Sequence, residues 1–87
     1  MTNSKQHNIY NIIGKNIKKY RKENGLTQRK LAEKLLLSES FIAKLESETF
    51  QTISIDTLEK ISFVLNIHIS KLFDESIIEE KKELVTN

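Results

Sequence analysis

The sequence is 87 residues long, 38% hydrophobic and 30% charged, and it contains neither cysteine nor proline. A chain of this length and balance is expected to form one small globular domain without disulfides or a thiolate metal site. No apolar run approaches the roughly 20 residues of a membrane span, and the N-terminus lacks the apolar core of a secretory signal. The cytoplasm is therefore the expected location.

Positive charge is concentrated at the N-terminal end of the chain, although the net charge is only +2. Residues 1–30 hold eight Lys or Arg and the single acid Glu23, whereas residues 31–87 hold six basic and eleven acidic residues. This distribution suits an anionic partner, but the solvated face of an ordinary helix would have the same composition.

The first predicted element is a helix over residues 9–23. Residues 1–8 are polar and are predicted to form a loose arm. Ile9, Ile13 and Ile17 then recur at helical spacing. Gly25 is predicted to end the helix, because glycine adopts the left-handed conformation without a Cβ penalty.

The stretch AEKLLLSESFIAKLE, residues 32–46, reads either as one helix or as two, since it contains neither Gly nor Pro. In one continuous helix Ser38 would lie within the apolar stripe, while Leu36 and Leu37 would point to water. A break after Leu36 removes both faults, because Ser38 becomes an N-cap and Leu37 can pack on Ile42 as a hydrophobic staple. The sequence therefore predicts two helices.

The same pattern of an apolar residue, a cap and an apolar residue four positions after the cap marks further helix starts. Thr27, Ser38 and Ser54 are good caps, and His68 is a poorer one. We expect an all-α fold, a compact five-helix bundle, over residues 9–74. The tail, residues 75–87, has an amphipathic pattern that predicts a short extra helix, which would need docking against a partner for stability.

Two segments carry a family resemblance: IGKNIKKYRKENGLTQRKLAEKLLLSESFIAKLE and SIDTLEKISFVLNIHISKLF. They resemble the Cro and phage-repressor (XRE) family of helix-turn-helix transcriptional regulators over about residues 12–73. The matching positions are Arg21, Gly-Leu-Thr-Gln at 25–28, Leu31, Ala32, Ser38, Ile42 and Glu46. The sequence departs from the family at Leu36, where glycine is usual, so the turn is expected to be strained or differently shaped.

The resemblance implies a DNA-binding domain of the phage-repressor type, with double-stranded DNA as its partner. The chain is not expected to be an enzyme or to bind a cofactor or metal, because His7 and His68 have no cysteine or paired carboxylate at ligand spacing. The third helix of such a motif enters the major groove, and the N-terminus of the second helix binds a phosphate.

Roles for individual residues follow from the resemblance and from the inward positions of Ile42 and Leu45. The residues expected to read bases are Glu39, Ser40, Ala43, Lys44 and Ser47. The recognition helix is not basic, so the expected phosphate contacts lie elsewhere, at Lys18, Lys19, Lys22, Thr27, Gln28, Arg29 and Lys30. Arg21 and Glu46 are expected to form the family's structural ion pair.

The leading hypothesis is a sequence-specific transcriptional regulator, of the repressor type, that binds a palindromic operator as a homodimer. The expected dimer contacts are Leu72, Phe73, Ile77 and Ile78, unless the two isoleucines merely cover the core. Two alternatives remain open: an antitoxin whose tail binds a toxin, and a protein-interaction module that has lost DNA binding. The acidic residues Glu39, Glu46 and Glu48 keep the second alternative open. The operator sequence and any inducer are not predicted.

Overall fold

The computed structural model describes residues 8–47 and 51–78, and within these ranges it is helical and contains no strand. The elements are α1 (Ile9–Glu23), α2 (Gln28–Leu35), α3 (Glu39–Glu46), α4 (Ile55–Leu65) and a 3-10 helix (Ile69–Phe73). The predicted all-α fold is confirmed, as is the break within residues 32–46. None of the helices in these ranges is both long and apolar enough to cross a bilayer.

Each helix begins directly after a side chain that accepts a hydrogen bond from its first turn. Ser38 Oγ accepts from the N–H of Phe41 at 3.1 Å, for example. These bonds satisfy N–H groups that have no partner inside the helix. The capping residues in chain order are Asn8, Thr27, Ser38, Ser54 and His68. The four caps predicted from the sequence are confirmed.

Three of the helices end in the same three-residue connector. It consists of a residue with positive φ, an apolar residue and the cap of the next helix. The connectors are Gly25-Leu26-Thr27, Leu36-Leu37-Ser38 and Asn66-Ile67-His68. In each, the apolar residue donates its N–H to a carbonyl five positions earlier, at 2.9–3.1 Å, which is the Schellman arrangement.

Leu36 is the unusual residue among these connectors. Its φ is 59°, whereas glycine and asparagine occupy the two equivalent positions. A left-handed conformation costs most non-glycine residues about 1–2 kcal/mol, and asparagine tolerates it better than leucine. The Leu36 side chain is also 91% exposed, so burial in the core does not offset this strain. The turn therefore keeps the shape of a glycine connector, with leucine under strain.

We expect Leu36→Gly to raise the free energy of unfolding by up to about 1 kcal/mol. Relief of the strained φ outweighs the greater entropy of glycine in the unfolded chain. Urea denaturation measures the change, and Asn66→Gly is the matched control, with a smaller expected effect. A substantial loss of stability in Leu36→Gly would contradict the assignment of strain.

The core lies where all five helices meet, and two of its features bear on the predicted surfaces. Leu72 in the 3-10 helix is 0% exposed. Next to it, the buried side chain of Asn16 donates to the carbonyls of Leu72 and Asp74, both at 3.0 Å, and so fastens the 3-10 helix to α1. The buried apolar residues packed around them are Ile13, Ile17, Leu31, Ala32, Leu35, Ile42, Leu45, Leu58, Ile61 and Leu65.

The burial of Leu72 corrects one prediction, because a side chain enclosed by its own domain cannot serve as a dimer contact. Phe73 is 37% exposed, and Ile77 and Ile78 are half-buried. The tail begins with a helical turn in which the Ile78 N–H donates to the Glu75 carbonyl at 3.0 Å. The rest of the predicted tail helix, residues 79–87, lies outside the described residues.

Candidate nucleic-acid interface

The α2 and α3 helices form a helix-turn-helix unit joined by the Leu36-Leu37-Ser38 connector. The inner face of α3 is anchored by Ile42, which is 0% exposed, and Leu45, which is 4% exposed. The predicted base-reading residues lie away from this face. Glu39, Ser40, Lys44 and Ser47 are exposed, and Ala43 is half-buried.

The outer face of α3 offers a small and mixed set of polar groups. Ser40 and Lys44 lie one turn apart on it, with Ala43 beside them. Glu39 lies at the edge, about 100° around the helix from Ser40. The hydroxyl of Ser47 donates to the Lys44 carbonyl at 2.9 Å, so this donor already serves the C-terminus of α3.

A buried ion pair holds α3 against α1. Arg21 Nε lies 2.6 Å from Glu46 Oε2, and Arg21 Nη2 donates to Glu46 Oε1 at 2.9 Å. The two residues are 7% and 9% exposed. This two-pronged geometry is the strong form of an arginine–carboxylate contact. The pair that the resemblance implied is thus present in the structure.

The same network also fixes the start of α2. Arg21 Nη1 donates to the Leu26 carbonyl at 2.7 Å, immediately before the Thr27 cap. Gln28 Nε2 donates to Glu46 Oε1 at 3.0 Å. One carboxylate therefore positions both the end of α3 and the first residue of α2. The sequence interpretation gave Gln28 only a phosphate contact, but the structure adds this internal bond.

The first turn of α2 presents the groups expected at a phosphate. Thr27 Oγ1 accepts from the Lys30 N–H at 3.0 Å, and the earlier N–H groups of Gln28 and Arg29 lie before the first intrahelical bond. Arg29 and Lys30 are exposed and lie 3.6 Å and 3.5 Å from the carboxylate of Glu33. Such exposed ion pairs are weak, so both cations can reorient toward an anion.

The three α1 lysines expected at phosphates lie at different angles around the helix. Lys18 lies one turn from both Gly14 and Arg21, and those two residues contact α3. Lys22 continues this flank. Lys19 follows Asn16 by three positions and precedes Lys22 by three, so it lies between Lys22 and the flank that binds the 3-10 helix.

The pKa of Asp74, beside the 3-10 helix, lies below its ordinary value. It is lowered chiefly by hydrogen bonds from the backbone and side chain of Ser76, with smaller contributions from the positive charges of Lys71 and Lys19. The charge of Lys19 therefore acts on Asp74, next to the 3-10 helix.

Gly14 and Asn16 hold α1 against its neighbouring elements, but little in the sequence indicated this role. A Cβ at Gly14 would lie 1.9 Å from the Leu45 carbonyl oxygen, so α1 and α3 cross almost in backbone contact. Asn16 interrupts the apolar stripe of α1, and this interruption was its only signal. Among residues 8–47 and 51–78, no group of three or more potential ligands could hold a metal ion.

Known proteins are similar to this chain in both fold and sequence. A family model described as a helix-turn-helix domain matches residues 14–76. The chain is 41% identical over 64 residues to the HTH-type transcriptional regulator SinR of Bacillus subtilis, a match covering 74% of this chain and 58% of SinR. It is 39% identical over 71 residues to the immunity repressor protein of Bacillus phage phi105, covering 80% and 49%. The chain thus spans about half the length of these relatives.

Solved structures give the same result. The master regulator for biofilm formation SinR, in complex with DNA, has a TM-score of 0.67 at 40% identity, covering 71% of this chain and 98% of that chain. The restriction-modification controller protein C.AhdI from Aeromonas hydrophila has a TM-score of 0.68 at 25% identity, covering 74% and 96%.

Fold and interface together define a class, the helix-turn-helix proteins of the phage-repressor type. The chain belongs to the XRE-type helix-turn-helix family of transcriptional regulators, as the family model over residues 14–76 and the SinR match show. This family is one of DNA-binding proteins and not of enzymes, in agreement with the expectation from the sequence.

Proposed function

We propose that the chain is the DNA-binding part of a transcriptional repressor that recognises a palindromic operator as a homodimer in the cytoplasm. The observation that carries the proposal is the buried Arg21–Glu46 pair with Gln28, which holds the outer face of α3 beside the N-terminus of α2. This rigid arrangement suits simultaneous contact with bases and a phosphate. The likeness to SinR, solved with DNA, supports it.

Base reading is assigned to the exposed face of α3. Ser40 can donate to or accept from several bases, and Ala43 offers a methyl contact to thymine. Lys44 suits guanine, and Glu39 can accept from cytosine N4 at the edge of the contact. Ser47 has a lesser role, because its hydroxyl is bonded to the Lys44 carbonyl.

Phosphate binding is assigned to the first turn of α2 and to one flank of α1. Thr27, Gln28, Arg29 and Lys30 supply the contacts on α2. Lys18 and Lys22 add positive charge on the flank of α1 that adjoins α3. Because each neutralised phosphate releases counterions, the logarithm of the affinity should fall by about 0.9 per contact for each tenfold rise in salt.

The homodimer follows from the small reach of one recognition helix. A single α3 reads too few base pairs for useful specificity, so two half-sites about 34 Å apart are expected. With Leu72 buried, the candidate dimer contacts in the described chain are Phe73, Ile77 and Ile78.

One observation counts against the alternative that the chain is a protein-interaction module that has lost DNA binding. Glu46, one of the acids that made the recognition helix look unsuited to DNA, is buried and paired with Arg21. In α3, the exposed surface then carries one acid, Glu39, and one base, Lys44. Glu48 lies outside the described residues. Within α3 the one exposed acid and the one exposed base balance, which weakens the electrostatic objection to DNA binding.

Lys44→Ala is expected to weaken binding to selected operators about tenfold or more, and binding to random DNA much less. The lost contact is to a base, and a good base contact contributes about 1–3 kcal/mol of discrimination. Fluorescence anisotropy with both DNA types measures the difference. Equal losses on the two DNAs would contradict the base-reading role.

Lys30→Ala is expected to weaken binding to operator and random DNA alike. Its contact is to a phosphate, so the slope of log affinity against log salt should decrease by about 0.9 per subunit. Lys19→Ala is the control, since it removes the same charge from a position on α1 where that charge acts on Asp74. A larger effect of Lys19→Ala than of Lys30→Ala would exclude the proposed orientation.

Selection of bound sequences from a random DNA pool tests the function as a whole. We expect two-fold symmetric sites with half-site centres about one helical turn, about 34 Å, apart. If micromolar protein gave no salt-sensitive gel shift with the selected pool or with its own promoter region, the proposal would fail and the interaction module would be favoured. A neighbouring toxin gene would instead favour the antitoxin.

A further inference from the structure

A second surface, away from the DNA-binding face of α3, brings exposed apolar side chains together. Leu36 in the connector and Phe63 on α4 are 91% and 85% exposed, and both line one groove between α2, α4 and the start of the 3-10 helix. Val64, Ile67 and Ile69 also line it and are half-buried. We call this surface the Leu36–Phe63 groove.

Leu36 and Phe63 expose large apolar side chains to solvent, and neither contributes to the core of the domain. Leu36 adopts a left-handed conformation that glycine and asparagine adopt at the equivalent connectors. Phe63 lies on the outer side of α4, outside the core cluster. Single exposed apolar residues are ordinary, but these two large ones line the same groove and together make it apolar.

Charged residues form the rim of the groove. Lys34 on α2 and Lys60 on α4 are exposed and line it, and Glu59 is the one acid among its lining residues. The rim therefore carries a net positive charge beside an apolar centre, and the complementary ligand combines apolar side chains with carboxylates.

The size and charge of the groove select one type of occupant. Its lining comprises eleven residues of the described chain, whereas a stable protein–protein interface engages roughly 20–30 residues a side. A second copy docked through the same face would also bring four lysines together with two glutamates. Both points disfavour self-association and favour a single narrow element.

We propose that the Leu36–Phe63 groove binds an amphipathic helix of another protein. Its apolar side chains, spaced at i, i+3 or i+4 and i+7, would contact Leu36 and Phe63. Carboxylates beside the apolar stripe would face Lys34 and Lys60. None of the residues assigned to bases or phosphates lines the groove. The inference stands independently of the proposed operator.

The test uses the whole chain and a synthetic helical peptide with leucines at those spacings and flanking glutamates. Two control peptides have the same composition with the leucines scattered around the helix, or lysines in place of the glutamates. We expect the first peptide to shift the backbone amide signals of Leu36, Phe63 and Val64, and both controls to bind at least tenfold more weakly.

Variants of the chain show whether the groove itself is responsible. Leu36→Gly and Phe63→Ser should each weaken peptide binding at least tenfold while leaving DNA binding in place, since both side chains are exposed. The melting temperature should stay unchanged in Phe63→Ser and should not fall in Leu36→Gly, where strain is relieved. Ile55→Ser is the matched control, because Ile55 is 65% exposed but does not line the groove. It should bind like the unaltered chain.

Three results would overturn the proposal. The first is peptide binding that shifts signals elsewhere or survives in both groove variants. The second is equal or tighter binding of the scattered or lysine peptide, which would refute the amphipathic or the acidic character. The third is self-association in sedimentation experiments that Leu36→Gly and Phe63→Ser both abolish, because the occupant would then be a second copy.

Discussion

Glu46→Gln is expected to lower the free energy of unfolding by about 3 kcal/mol, because it leaves the guanidinium of Arg21 buried without a counter-charge. In the native chain Arg21 makes two bonds to this carboxylate, at 2.6 and 2.9 Å. The substitution keeps the side-chain volume, so the effect reports charge and hydrogen bonding rather than packing. Urea denaturation followed by circular dichroism measures it.

The exposed ion pairs of α2 supply the control for this prediction. Glu33→Gln removes a carboxylate that lies 3.5–3.6 Å from Lys30 and Arg29, but all three side chains are more than half exposed. We expect a change below about 1 kcal/mol. If Glu46→Gln were no more harmful than Glu33→Gln, the Arg21–Glu46 pair would be solvated and not a buried link.

A double variant separates stability from positioning. Arg21→Met combined with Glu46→Leu replaces the buried pair by apolar groups, which often restores stability. It also removes the acceptor that orients Gln28 and the donor to the Leu26 carbonyl. We expect a folded protein with weaker DNA binding. Full DNA affinity in this variant would show that the network only stabilises the fold.

Gly14→Ala is expected to lower the free energy of unfolding by about 2 kcal/mol or more. The added Cβ would lie 1.9 Å from the Leu45 oxygen and 3.1 Å from the Leu45 carbonyl carbon. These are backbone atoms and cannot rotate away, so α1 and α3 must separate. The cost of such overpacking, about 3 kcal/mol, exceeds the gain of about 1 kcal/mol from placing alanine in a helix.

Gly25→Ala is the control for steric contact. A Cβ at Gly25 meets no atom within 4 Å, and the substitution is strained only by the φ of 70°. Its expected cost is about 1–2 kcal/mol. The two variants differ further in DNA binding, because only Gly14→Ala displaces α3. If Gly14→Ala bound operator as well as Gly25→Ala did, the close crossing of α1 and α3 would not position the recognition helix.

Helix boundaries were predictable from the sequence because capping is local. Ser38 caps α3 through an N–H only three positions away, so the break in AEKLLLSESFIAKLE could be recognised without glycine or proline. At Leu36 the family resemblance left a strained turn and a differently shaped turn both open, and the φ of 59° shows the strained one. The outward face of α3 followed from helical periodicity once Ile42 and Leu45 were taken as core residues.

Depth of burial was less predictable. Apolar spacing identified Leu72 and Phe73 as neighbours but could not show that the first is fully enclosed while the second is 37% exposed. Likewise, a list of basic residues could not show that the charge of Lys19 acts on Asp74. Their positions depend on which helices pack against each side, and that is a property of the assembled domain.

The sequence by itself therefore determined the helices, their caps and the kind of surface that α3 presents, since each depends on residues within about one helical turn. Only the tertiary structure decided how these parts join. Asn16 binds a carbonyl 56 positions away, Glu46 meets Gln28 in addition to the Arg21 that the family resemblance implied, and Leu36 and Phe63 share a groove although they belong to separate elements. Such contacts between distant residues follow from packing, which no local pattern encodes.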